Sequence, residues 1–276
     1  MPSYTAADIK ALRERTGAGM MDVKKALDEA EGDTGKAVEI LRVKGLKGVT
    51  KREGRSASNG LVAAHVDGGT GVLVEVNCET DFVAKGERFK ELADTVLQVA
   101  VASGAADADA LRAADTGDGS TVQQLLDEGN ATLGEKIEVR RVARLTGAHV
   151  TSYLHRTSPD LPPQIGVLLA VEGEDTGTAR DVALHIAAMS PSVLSAEEVP
   201  AETLEAERRI AHETAVNENK PEQALPKIVE GRVKGYLKEN VLLEQAFSKD
   251  NKKTIAKVLD EAGLTATAFA RFRVGS

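Results

Sequence analysis

The chain has 276 residues, 42% of them hydrophobic and 28% charged, a balance expected of a soluble globular protein with one large or two modest domains. Tryptophan is absent and aromatics make up 3%, so a core must be built from Val, Leu, Ile and Ala; no run of about 18 apolar residues is present to span a membrane. The net charge of −8 argues against a general nucleic-acid binder, and the single cysteine, Cys78, excludes an internal disulfide and a cysteine-based metal cluster.

Residues 1–45 read as three short helices. Thr5 and Asp8 resemble a capping box at the start of the first, whose apolar face carries Ile9 and Leu12. Thr16-Gly17-Ala18-Gly19 breaks the chain, and Met20, Val23 and Leu27 then recur at helical spacing. Gly32 ends this helix, Asp33 or Thr34 caps the next, and Gly45 is expected to stop it. Residues 46–59 are basic, bear Gly and Ser, and read as a linker.

Residues 60–136 read as a first core half: two strands around the loop Asp67-Gly68-Gly69-Thr70, then helices. Val72, Val74 and Val76 share a strand face, and Phe89, Leu92, Ala93, Val96 and Ala100 repeat at spacings of three and four. Residues 137–195 read as a second half with strands over 137–145, 149–154 and 165–171 and a helix over 176–189, whose face holds Val182, Ile186 and Met189. GVLVEVN in the first half matches GVLLAVE in the second, each ahead of a helix, which hints at two related α+β units. Residues 196–250 read as a charged helical hairpin, and 251–276 as a helix and a last strand. Ala266, Ala268, Ala270 and Phe272 are expected on one face of that strand.

The segment richest in information is 72–90, where a strand runs into Glu79-Thr80-Asp81-Phe82-Val83-Ala84 and then a helix. Phe82, one of 5 phenylalanines, sits at the turn beside an acid. Two roles fit: a wedge that enters a partner, or a local core residue. Enzymatic chemistry has little support. No GxxxxGK[ST] loop occurs, the five histidines show no metal spacing, and Cys78 closes an apolar strand. Two cationic runs, Lys44, Lys47, Lys51, Arg52 and Arg55, then Arg140, Arg141 and Arg144, leave RNA or ribosome binding as an alternative.

Three segments resemble the elongation factor Ts family, the nucleotide-exchange partners of elongation factor Tu: LRERTGAGMMDVKKALDEAEGDTGKAVEILRVKG, VNCETDFVAKGERF, and LGEKIEVRRVARL with SYLH and IGVLLAVEG. Val23 stands where many members have Cys, Lys136 stands in GEKI where GENI is usual, and the further helical module of long members is lacking. The resemblance implies an α+β fold: an N-terminal three-helix, UBA-like module, two related sheet-plus-helix halves, and a coiled-coil-like hairpin. It implies a cytoplasmic protein with no cofactor and no covalent chemistry, whose partner is elongation factor Tu, GDP-bound or nucleotide-free. Thr80, Asp81, Phe82 and Val83 would form a wedge that dislodges the partner's magnesium ion. Met20, Met21, Val23, Leu133, Gly134 and His155 would add contacts. Pairing of two copies through the hairpin is left open; membrane and direct nucleic-acid binding are not expected.

Overall fold

The computed structural model describes residues 4–16, 18–52, 54–175 and 177–276. Gly17, in the expected break, and Thr176, at the expected start of a helix, lie outside the described residues, as do the side chains of Lys47 and Lys51.

Helices α1 (Ala6–Thr16), α2 (Met20–Glu29) and α3 (Thr34–Arg52) open the chain. The capping box at α1 is reciprocal: Thr5 N–H donates to the Asp8 carboxylate at 2.7 Å, and Asp8 N–H to the Thr5 hydroxyl at 3.3 Å. Asp33 starts α3 by accepting the N–H groups of Gly35 (2.8 Å) and Lys36 (3.0 Å). Leu12, Val23, Ala26, Leu27, Ala37 and Leu41 form a small core between the three helices. The third helix does not stop at Gly45, and the expected linker over 46–59 is helical as far as Arg52. A Cβ on Gly45 would lie 2.5 Å from the Ala131 Cβ, so this glycine marks a close approach to a later helix rather than an end. Packing there outweighs the roughly 1 kcal/mol that a helical glycine costs relative to alanine. Arg52 extends the contact by donating to the Asn130 carbonyl at 3.0 Å.

The body holds two three-stranded antiparallel sheets built to one plan. In the first, β1 (Asn59–Asp67) and β2 (Thr70–Cys78) form a hairpin. The chain then leaves through α4 (Asp81–Lys85), α5 (Glu87–Ser103), α6 (Ala108–Ala113) and α7 (Val122–Leu133), and β3 (Glu138–Thr146) returns beside β2. In the second, β4 (His149–His155) and β5 (Ile165–Glu172) pair. The excursion is α8 (Thr178–Met189), α9 (Ala201–Asn217), α10 (Leu225–Asn240), the hairpin β6 (Ala246–Phe247) and β7 (Asp250–Thr254), and α11 (Ile255–Glu261). β8 (Thr265–Arg273) then returns beside β5. The strand over 137–145 therefore closes the first sheet and does not open the second half, as its position in the chain suggested. It satisfies the N–H and C=O groups along the second edge of β2, which its nearest neighbour β1 cannot reach.

Val72, Val74 and Val76 face α5, where they meet Phe89, Ala93, Val96 and Ala100. Ile165, Val167, Leu169 and Val171 face α8 and α11. The inner faces meet through Val62, Leu73, Val150, Leu168, Ala170 and Phe272. Two glycines set this approach reciprocally. A Cβ on Gly71 would lie 2.6 Å from Val150 and 3.0 Å from Leu168; one on Gly166 would lie 2.4 Å from Val62 and 2.8 Å from Leu73. Each copy of the Gly-Val-Leu repeat thus sets its leucine over the other copy's glycine.

Two packing expectations change. The register of β5 and β8 shifts between Ala170 and Val171, so Ala266 joins the helix-side core while Ala270 and Phe272 join the inter-sheet core. A one-residue bulge reverses the alternation that the sequence pattern implied. Met189 ends α8 exposed, while Val182 and Ile186 are buried. Helices α9 and α10 pack against each other, and Arg232 holds Glu218 at 2.8 Å beside their connection. Among the described residues no helix is long and apolar enough to cross a membrane.

Candidate functional site

The end of β2 turns directly into α4, a helix of 5 residues. So short a helix cannot sustain itself, because nucleation fixes several residues for a single hydrogen bond. Its stability comes from outside. Thr80 is the N-cap, and its hydroxyl accepts the Val83 N–H at 3.4 Å. The same hydroxyl donates to Glu135 Oε1 at 2.5 Å, while Glu135 Oε2 accepts the N–H groups of Glu79 (3.1 Å) and Thr80 (3.0 Å). The relation is mutual: Lys136 N–H donates to Glu79 Oε1 at 2.7 Å. Asn59 donates to the Glu79 carbonyl at 2.8 Å, and Arg55 lies 3.2 Å from the Glu79 carboxylate. Gly134 closes α7 in the left-handed region, φ 77°, which turns the chain so that Glu135 meets this loop.

On this frame Val83 is half-buried and Ala84 is buried against the first core, next to Phe89. Phe82 points the other way and is 81% exposed. A lone exposed aromatic is ordinary on a protein surface. The informative feature here is the fixed backbone that presents it. Asp81 accepts a hydrogen bond from Lys85 at 2.7 Å, and that bond holds its carboxyl below the usual carboxylate range. The same bond raises the Lys85 ammonium, with the negative charge of Asp160 adding to it. The Lys85 Nζ sits 6.0 Å from the centre of the Phe82 ring, at the limit of cation–π contact.

Met20 and Met21 are exposed, 59% and 62%. Arg88, in the first turn of α5, donates to the Glu14 carbonyl at 2.9 Å, so the α1–α2 junction lies beside the start of α5. Val23 corrects the sequence expectation. It is fully buried among the three N-terminal helices, because its helical position faces Leu12 and Leu41 rather than solvent. Leu133 is half-buried against the first core, and Gly134 is exposed. His155 is exposed and stacked on Tyr153, with ring centres 6.2 Å apart. Its carbonyl accepts the Gln164 N–H at 2.8 Å, and the Gln164 amide donates to the Gly60 carbonyl at 2.8 Å, next to Asn59. That end of the second sheet therefore meets the end of the first from which Phe82 projects. Sequence reading missed Glu79 and Glu135 as a pair. Both stand inside quoted segments, VNCETDFVAKGERF and LGEKIEVRRVARL, but they lie 56 residues apart and nothing local distinguishes them from other acids.

Cys78 is buried and its thiol donates to the Thr80 carbonyl at 3.2 Å. Burial, then the nearby charge of Glu135, pushes it up to about 12, so it stays a protonated thiol at neutral pH. Among the described residues, cations of both basic runs are engaged within the molecule. Lys44 pairs with Glu29 at 2.5 Å, Arg141 with the buried Glu75 at 2.5 Å, and Arg144 donates to the Val101 carbonyl at 2.8 Å. Among the described residues no group of His, Cys, Asp and Glu could hold a metal ion.

A clasped turn that holds one aromatic ring in solvent is an arrangement suited to a binding factor, a protein that works by docking. A family model described as Elongation factor TS matches residues 79–276. Over its whole length the chain is 63% identical to elongation factor Ts of Paenarthrobacter aurescens, 64% to that of Kocuria rhizophila and 63% to that of Kineococcus radiotolerans, and it covers 100% of each. The chain belongs to the elongation factor Ts family.

Proposed function

We propose that this chain is a guanine-nucleotide exchange factor in translation elongation, and that it binds elongation factor Tu in its GDP-bound and nucleotide-free states. The reading is supported by family membership, and its mechanism is carried by one observation: Phe82, 81% exposed on a turn clasped by residues from the two ends of the first half's helical excursion. Inserted into the partner, the ring and Asp81 act as a wedge near the magnesium ion and the phosphates. Burying a phenylalanine side chain gains roughly 1.5–3 kcal/mol. That energy favours a partner conformation in which ion and nucleotide fit poorly. Linkage sets the rest: to the extent that the factor weakens GDP, GDP weakens the factor by the same ratio. GTP then rebinds by mass action. No covalent bond changes, and no cofactor takes part.

Met20 and Met21 on the UBA-like N-terminal module supply a second contact, since flexible thioethers adapt to a partner groove. Leu133, Gly134 and His155 supply a third. Helices α9 and α10 form a protruding hairpin through which two copies can pair, and the protein acts in the cytoplasm. Stopped-flow release of a fluorescent GDP from elongation factor Tu tests the mechanism. With Phe82→Ala, release at saturating factor is expected to slow on the order of tenfold to a hundredfold, the scale of an aromatic hot spot. An unchanged rate refutes the wedge.

A further inference from the structure

We infer that Glu135 is a positioning residue for the projecting ring: its carboxylate sets the N-terminus of α4, and through it the direction of Phe82. This rests on the reading of Phe82 as the element that enters the partner.

A helix start exposes N–H groups with no partner in the helix, and an oxygen from elsewhere must take them. At the entry to α4 one distant carboxylate takes the N–H groups of the N-cap, Thr80, and of the residue before it, Glu79. Glu135 accepts the Glu79 and Thr80 N–H groups directly, at 3.1 and 3.0 Å. It controls the third indirectly. The Thr80 hydroxyl has a single proton, and that proton is directed to Glu135 at 2.5 Å. The hydroxyl lone pair is thereby left facing the Val83 N–H. Without Glu135 the hydroxyl can rotate, and three donors around Asp81 and Phe82 lose their acceptor or its orientation.

The carboxylate is itself held in place. It follows Gly134, whose left-handed conformation ends α7, and the next residue, Lys136, donates its N–H to Glu79 at 2.7 Å. Arg55, 3.2 Å from the Glu79 carboxylate, adds an ion pair on that side of the clasp. The clasp joins the two ends of the first half's helical excursion, residues 79–80 and 135–136, and the ring projects from this closed point. Neither Glu79 nor Glu135 need touch the partner for its loss to weaken exchange.

Two measurements test the inference. In the free chain, Glu135→Ala should raise amide hydrogen exchange across residues 79–83 by about tenfold, the scale of losing a charge-assisted hydrogen bond, with the sheets unchanged. Unchanged exchange there overturns the clasp. With elongation factor Tu, Glu135→Ala should slow GDP release at saturating factor by about tenfold in the native background and add nothing in the Phe82→Ala background. A full, additive loss in both backgrounds, or no loss in the native one, overturns the positioning role, because a general weakening of the fold does not depend on the ring. Glu135→Gln guards against misfolding. It keeps the shape and one acceptor oxygen, and should give an intermediate effect in both measurements; an effect equal to that of Ala on hydrogen exchange with none on release also overturns the role. If Phe82→Ala alone leaves release unchanged, the exchange mechanism fails, while the hydrogen-exchange measurement still decides whether Glu135 holds the turn.

Discussion

The two halves of the body share a frame and differ where the frame ends. Gly71-Val72-Leu73 and Gly166-Val167-Leu168 sit in equivalent strands, and each leucine packs over the other's glycine. After β2 the chain enters Glu79-Thr80-Asp81-Phe82, clasped to Glu135 and carrying the exposed ring. After β5 it enters a glycine-bearing turn in which Asp175 accepts the N–H groups of Gly177 (2.9 Å) and Ala179 (3.1 Å) and so starts α8 from within. One turn closes on itself. The other needs a residue from 55 positions away, and it is the one that presents an aromatic ring to solvent. Repetition built the scaffold, and the exposed ring to which we assign the wedge sits on a single strand-to-helix turn.

A second difference lies inside. Glu75 in the first half aligns with Ala170 in the second, and both face the space between the sheets. Glu75 is fully buried but bonded by Arg141 at 2.7 Å and by the Gly275 N–H at 3.1 Å. Arg141 in turn lies 4.6 Å from the centre of the Phe272 ring in β8, so the polar plug ties the two sheets together. Ala170→Glu would put the same acid in the other half without an arginine. It should destabilise the chain by about 4 kcal/mol or prevent folding, the scale of an unpaired buried charge, as read by denaturant unfolding. Equal stability would show that the inter-sheet space admits water.

The reciprocal glycines offer a symmetric test. Gly71→Val and Gly166→Val should each cost about 1–3 kcal/mol through overpacking, measured as paired shifts in the unfolding midpoint. A large loss at one and none at the other would break the equivalence of the halves. A smaller effect separates the halves by pH. His185 in α8 is buried, accepts the Ser248 N–H at 3.1 Å and lies 2.9 Å from Gln245, and burial lowers its pKa below 6.5. The unfolded chain therefore takes up this proton first. His185 contributes stability above about pH 6.5, and the contribution is lost as pH falls toward the folded value. His185→Gln should flatten the stability profile in that window, and hydrogen exchange should rise first in β6 and β7.

The smallest effect on stability is expected at Phe82. Phe82→Ala should change unfolding by no more than about 0.5 kcal/mol, whereas Phe89→Ala, at a fully buried ring, should cost about 3–5 kcal/mol. A costly Phe82→Ala would mean that the ring is packed in the free chain.

Much of this was legible in the chain. The Thr5–Asp8 box, the helical stripe of Val23 and Leu27, the valines of β2 and the repeated GVL strands are local patterns, set by the helix and strand periods and by side chains that reach their own backbone. They fixed element types, the α+β class and the position of Phe82 at a turn. The course of the helix through Gly45 and the reversed alternation in β8 were not legible, because each depends on a neighbour far along the chain.

Sequence alone therefore determined the pieces and where the aromatic sits. Only the tertiary structure decided that β3 closes the first sheet and β8 the second, that the halves interlock through glycine and leucine, and that Glu135 clasps the turn. The physical reason is range. Periodicity and capping act over a few residues, whereas register, close approach and the acceptor for an unpartnered N–H are settled only when distant segments meet.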